Sequence, residues 1–144
     1  MKIEIVEKKE EEEKVVIYVH EKTSEIEMLA KKISNNFKTV EAFIDNERFF
    51  INYLDIESIY TQGGKVYLRA KNKVYMIKDR LYKIENELPK NSFIRISNSE
   101  IINFEMVLKL STDIIGTLKI YFKSGNIAYS SRRYIKRIKD FLSK

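Results

Sequence analysis

The chain reads as a mainly β protein of antiparallel design with short helices, preceded by a small β-β-α leader. Three observations predict this class. From Thr39 to Tyr129, short runs of β-branched and aromatic residues recur, separated by turn residues such as Gly63-Gly64 and Ser124-Gly125-Asn126. Leu118, Ile120 and Phe122 alternate with Thr117, Lys119, Tyr121 and Lys123, the period of a half-buried strand. Helical spacing, by contrast, is confined to three short windows, and nothing resembles alternating βα units.

In the leader, residues 2–6 alternate polar and apolar as a short strand would, and residues 14–19 (Lys-Val-Val-Ile-Tyr-Val) form a β-branched run that predicts a second strand. Between them, Glu10–Glu13 reads as a solvated turn, because four adjacent carboxylates cannot converge on one cation. Ser24 is the predicted N-cap of a helix over 24–37, with Glu25 and Glu27 in its first turn, where the dipole favours them. Ile26, Leu29, Ala30, Ile33 and Phe37 form its apolar stripe, and Asn35-Asn36 frays its end. Residues 1–40 are therefore expected to be a leader, and 41–144 a second domain.

The second domain opens with strands over 39–44, 49–54 and 56–60. Gln62-Gly63-Gly64-Lys65 makes a turn, and strands at 66–70 and 74–78 flank Lys71-Asn72-Lys73. Asp79 is the expected cap of a helix of about ten residues, set by the spacing of Leu81, Ile84 and Leu88 and ended by Pro89. Further strands or apolar runs follow at 93–96, 101–104, 106–110, 118–122 and 127–129. The terminal stretch returns to helical spacing from about Ser131, with Tyr134, Ile138 and Leu142 on the buried face.

Composition excludes several kinds of chemistry. The 144 residues contain no cysteine, which removes disulfides, thiolate metal sites, iron–sulfur clusters and thiol catalysis, and fits a reducing, cytoplasmic setting. One histidine, His20, makes His-dependent catalysis unexpected. No phosphate-binding glycine loop or metal-binding motif occurs, so no enzymatic activity, metal or cofactor is expected. The acidic start is neither a signal nor a transit peptide, and no window approaches the roughly 20 apolar residues of a membrane span, so no membrane insertion is expected.

Charge is unevenly spread. Lys and Arg number 27 against 21 Asp and Glu, a net charge of +6. Residues 1–45 hold 8 basic and 11 acidic residues, a balance of −3, whereas residues 46–144 hold 19 and 10, a balance of +9. A polyanionic partner is thus to be sought in the second part. Six cations lie between Arg132 and Lys144 with only Asp140 opposing them. A solvated face could account for most of them. Arg132-Arg133 sit at a helix start, however, where the dipole disfavours cations, and that misfit points to an anion. Phe93-Ile94-Arg95-Ile96-Ser97-Asn98-Ser99 is a second constellation, in which a strand opens into short polar groups suited to phosphate contacts and to reading adenine through Asn98.

Taken together, these blocks resemble the LytTR family of bacterial DNA-binding domains. Phe93, Arg95, Ser99 and Asn103 meet its Phe-x-Arg, polar, Ser, apolar, Asn pattern. Ser131-Arg132-Arg133-Tyr134 and the basic amphipathic helix after it meet the terminal signature. Leu54-Asp55-Ile56 through Gly63 is similar to the family's upstream element. The resemblance covers roughly residues 40–144. Ser97 stands where many members have His, and Ile56-Glu57-Ser58-Ile59-Tyr60 departs from the usual wholly apolar strand.

The resemblance implies an elongated, antiparallel, multi-sheet fold whose loops enter successive major grooves of double-stranded DNA, with two protomers at paired direct repeats. Carried over by position, Asn98, Arg133 and Lys65 are the expected base contacts. Arg95, Ser97, Ser99, Ser131, Arg132, Lys136 and Arg137 are the expected phosphate or supporting groups. The layout resembles short stand-alone regulators of transcription: 45 preceding residues are too few for a phospho-receiver domain, and the leader could bind a partner protein. Two rivals come from other classes. One is an interaction module whose basic terminal helix docks on an acidic protein or membrane surface. The other is an RNA binder using exposed aromatics among nine Tyr and eight Phe.

Overall fold

A computed structural model of the chain describes residues 2–35 and 38–143. Its elements in order are α1 (Ser24–Asn35), β1 (Thr39–Ile44), β2 (Glu47–Asn52), β3 (Ile56–Gln62), β4 (Lys65–Ala70), β5 (Lys73–Ile77), α2 (Leu81–Glu87), β6 (Phe93–Ser97), β7 (Glu100–Asn103), β8 (Val107–Thr112), β9 (Leu118–Phe122), β10 (Ile127–Tyr129) and α3 (Ile135–Leu142). Short 3-10 turns at Tyr53–Asp55, Phe104–Met106 and Arg132–Tyr134 punctuate them. The strands form a seven-stranded sheet in the order β2-β1-β5-β4-β3-β7-β6 and a three-stranded sheet in the order β10-β9-β8, antiparallel throughout.

The strands expected between 39 and 129 form within a few residues of their predicted bounds, because each has a sequence-adjacent partner across a turn signal. Gly63 and Gly64 both adopt positive φ, +58° and +77°, as a two-residue hairpin turn of primed type requires. The leader differs. Residues 2–23 contain no strand, so the β-β-α reading is corrected to irregular chain followed by a helix. The β-branched runs are present, but neither finds a partner ladder, and a strand exists only in pairing. Helix α1 is capped by the Thr23 hydroxyl, which accepts from the Ile26 amide at 3.3 Å, one residue before the predicted cap. Asn36 and Phe37, predicted as its frayed end and stripe, lie outside the described residues.

Two more helix expectations are corrected. Arg80, not Asp79, occupies the N-cap of α2 and makes no side-chain cap bond, and the helix is seven residues long. At the C-terminal end, Arg132–Tyr134 is a 3-10 turn before α3 begins at Ile135. Helix α3 buries Ile138, and Phe141 packs beside it, while Leu142 is 45% exposed. Ile138 and Phe141, three positions apart within the helix, form the seated face, and Leu142 turns outward.

Two apolar cores lie on opposite faces of the β6–β7 hairpin. Phe93 and Ile101 join Ile56, Ile59, Leu68, Leu81, Ile84 and Leu88 in the core beneath α2. Ile94, Ile96 and Ile102 join Ile120, Phe122, Ala128 and Ile138 in the core under the small sheet and α3. Burial of both faces explains why Ile101-Ile102 and Phe93-Ile94 are apolar in succession and do not alternate. Between the cores, Asn103 is fully buried. Its amide donates to the Ile56 carbonyl at 2.9 Å, and its oxygen accepts from the Glu105 amide at 3.1 Å.

Glu57 ties the two sheets. A register shift between Ile56 and Ser58 re-aims its side chain. The buried carboxylate accepts from the Ser124 hydroxyl and from the Asn126 amide (2.8 Å), with Arg69 3.9 Å away. This bulge accounts for an acidic residue at a buried position of the strand.

Candidate nucleic-acid interface

Antiparallel register brings three turns to one end of the large sheet. The β3–β4 turn and the β6–β7 turn point the same way, since β3 runs opposite to β7 with Tyr60 facing Glu100. The Thr61 amide donates to the Ser99 carbonyl at 2.8 Å, joining the two hairpins next to their tips. The third segment arrives when the Ser131 amide donates to the Ile96 carbonyl at 2.9 Å, on the open edge of β6. Lys65, Asn98 and Arg133 therefore belong to neighbouring turns although 33 to 68 positions separate them.

The β6–β7 turn is held from inside. Strand alternation sends Arg95 to the same face as Phe93, toward α2. There Nη1 donates to Glu85 Oε2 at 2.6 Å, Nε donates to the Ser97 carbonyl at 2.7 Å, and Nη2 donates to the Asn98 carbonyl. The Ser97 hydroxyl accepts from the Ser99 amide at 3.2 Å and lies 3.3 Å from the Ser99 hydroxyl. Asn98 itself is exposed, and its Oδ1 accepts from the Tyr134 hydroxyl at 2.9 Å. Tyr134 in turn carries the Arg137 guanidinium over its ring, 5.2 Å from the centroid, and Arg137 reaches Glu85 Oε1 at 3.5 Å.

The expected site residues thus divide into two kinds. Lys65, Asn98, Ser99, Arg132, Arg133 and Lys136 are exposed, and the four cations among them make no ion pair among the described residues. Such uncompensated cations are free to meet phosphates or base edges. Arg95 and Arg137 are engaged by Glu85, and the Ser131 hydroxyl is buried with no partner among the described residues. These three, with the half-buried Ser97, are turned to or enclosed by the protein itself.

The contacts that two residues make around these turns escaped the sequence reading. Glu85 lies ten positions before Arg95 in an acidic helix whose charges look like ordinary solvation, and Tyr134 looks like a core residue of the helical stripe. The loop at 113–117 also lies near this end, because the Ser130 amide donates to the Leu118 carbonyl at its base (3.0 Å), and Ile114 at its tip is fully exposed.

Electrostatics beside the turns is mixed. Burial raises the Glu100 carboxyl above the ordinary carboxylate range. The Ser58 hydroxyl and Arg69 oppose this, and Glu57 adds to it. On the outer face of the small sheet, the ammonium groups of Lys109 and Lys119 stand 4.6 and 5.1 Å from the Tyr121 ring centroid. The Lys119 side chain lowers the Tyr121 phenol, and Tyr121 raises Lys119.

Comparison with known proteins identifies the family and the fold. Residues 46–143 match the LytTr DNA-binding domain family. The chain belongs to that family. Its curated relatives include a protein named an uncharacterized HTH-type transcriptional regulator from Staphylococcus aureus strain NCTC 8325, 34% identical over 140 residues, covering 88% of this chain and 95% of the relative. A similarly named protein of S. aureus strain N315 is 39% identical over 105 residues, covering 73% of this chain and 71% of the relative. Among solved structures, the LytTr DNA-binding domain of a methyl-accepting/DNA response regulator from Bacillus cereus superposes with a TM-score of 0.71 at 21% identity. The match covers 74% of this chain and 98% of that domain. The mainly β, antiparallel LytTR fold is thereby established. In this LytTR chain, strands separate each α-helix from the next, so among the described residues no two α-helices are joined directly by a turn. No described helix is long and apolar enough to cross a membrane.

Proposed function

We propose that this LytTR protein is a sequence-specific, double-stranded DNA-binding regulator of transcription that acts in the cytoplasm without enzymatic activity. The convergence of the Lys65, Asn98 and Arg133 turns at one end of the sheet supports this reading most. An exposed Asn can pair with adenine and an exposed Arg with guanine in the major groove, and Lys65 supplies a third contact from the neighbouring turn. Arg132 and Lys136, both unpaired, provide the salt-dependent phosphate term, with Ser99 beside them.

The charge division fits the same orientation. Residues 46–144, with a balance of +9, face the duplex, and residues 1–45, with −3, face away from it. Two protomers bind paired direct repeats and associate on DNA, and the leader (residues 1–40) is the surface for any partner protein.

Selection of bound sequences from a random duplex library tests this reading. Enrichment of a repeated motif containing A/T and G positions is the expected result. Equal retention of all duplexes, or preferential retention of single-stranded RNA at the same salt, would overturn it.

A further inference from the structure

We infer that Glu85 is a positioning residue for base reading, an anion that fixes the Asn98 turn from within by holding two arginines away from the DNA backbone. The inference rests on the DNA-binding reading above and goes beyond it to a residue that touches no DNA.

The geometry is specific. One carboxylate oxygen takes Arg95 at 2.6 Å and the other faces Arg137 at 3.5 Å. The Arg95 side chain is only 14% exposed and that of Glu85 22%, so the pair is largely withdrawn from water. With one nitrogen bound to Glu85, the guanidinium presents its remaining donors to two successive carbonyls, Ser97 and Asn98. A planar, rigid fork of this kind sets the path of the turn, not merely its charge. From the other side, Arg137 lies between Glu85 and the Tyr134 ring, and the Tyr134 hydroxyl holds the Asn98 side chain. Glu85 is thus the common anchor of both restraints on Asn98, one on its carbonyl and one on its amide oxygen.

A carboxylate so close to a bound polyanion opposes binding through charge repulsion. If it served affinity alone, Gln or Ala would be the better residue. Its value lies in geometry: without it, Arg95 and Arg137 would turn outward to phosphates, and the carbonyls of Ser97 and Asn98 would lose their common donor. Selectivity and affinity are therefore expected to move in opposite directions, which a merely structural residue would not produce.

Glu85→Gln and Glu85→Ala are compared with the parent for binding to the selected duplex and to a random-sequence duplex across salt, alongside thermal unfolding. The expected result is a specific-to-random affinity ratio lowered about tenfold, within the range one good base contact contributes. Random-duplex affinity is equal or higher, and the salt slope is steeper by about 0.9 for each of the two arginines released. A DNA-free arm measures 15N order parameters of the Asn98 and Ser99 amides in the folded variants, which should fall. An unchanged ratio in both variants, unchanged order in the turn, or a ratio that falls only in step with random-duplex affinity and melting temperature would overturn the inference. If the parent itself shows no sequence preference, the DNA-binding reading fails, while the order parameters still report on Glu85.

Discussion

The Tyr134 hydroxyl donates a 2.9 Å hydrogen bond to Asn98 Oδ1. The bond orients the amide of an exposed residue without exhausting it, because a carboxamide oxygen has two lone pairs and both amide hydrogens remain free. The bond therefore presets the Asn98 rotamer for the base edge it is proposed to read. Tyr134→Phe removes the bond and keeps the ring under Arg137. A loss of selectivity equivalent to about 0.5–1.5 kcal/mol, the net worth of one hydrogen bond, is expected with little change in random-duplex affinity. Paired titrations of the selected and a scrambled duplex measure it.

Arg133 and Lys136 are both exposed and make no ion pair among the described residues, yet they are assigned different work. Arg133→Ala is expected to cost about 1–3 kcal/mol of discrimination at one base position, seen as relaxed preference there in a repeated selection. Lys136→Ala should weaken all duplexes alike and lower the magnitude of the salt slope by about 0.9. If Arg133→Ala bound with parental selectivity, its base-reading role would be refuted whatever the effect on salt dependence.

The contrast between these exposed cations and the engaged pair Arg95–Arg137 marks what the sequence could and could not convey. Strand positions from 39 to 129 were legible because each run is joined to its partner by a short turn with its own chemistry, such as Gly63-Gly64. Asn98 and Arg133 were singled out through the family spacing, and both are exposed. Residues 14–19 have the same β-branched texture but no neighbouring ladder, and texture alone does not reveal a missing partner. Likewise, nothing in the pattern distinguishes Arg95, engaged with an acid ten positions back, from Arg133. Tyr134 sits at helical spacing from Ile138, and only the 3-10 turn frees its hydroxyl to reach Asn98.

The end of the large sheet opposite the site depends on Glu57. Its buried carboxylate accepts from Ser124 and Asn126, the turn residues between β9 and β10. Glu57→Ala leaves those donors, and Arg69, without their acceptor, and a loss of about 1–3 kcal/mol is expected. For a chain of this size that lowers the melting temperature by roughly 2–4 °C per kcal/mol. Because Asn126→Ala removes part of the same contact, the double variant should be less destabilised than the sum of the singles, with a coupling of at least about 0.5 kcal/mol. Denaturant unfolding of the four proteins checks it, and strict additivity would show that the two side chains do not interact.

Glu100 gives the fold a pH dependence whose sign can be worked out. Its carboxyl is raised in the folded protein, chiefly by burial, while in the unfolded chain it titrates near the ordinary Glu value of about 4.3. Below that value both states are protonated and Glu100 adds no penalty. As pH rises through the ordinary value toward the raised one, the unfolded chain releases its proton first, so stability falls and the penalty is complete above the folded pKa. Glu100→Gln mimics the protonated form and removes the penalty. The variant should therefore unfold at a higher temperature than the parent at pH 7, and the difference should shrink toward pH 4. Melting curves of both proteins at several pH values in that interval measure it. A variant that melts below the parent at pH 7 would mean that the charged form is the stabilised one, through Arg69 and Ser58, with burial outweighed.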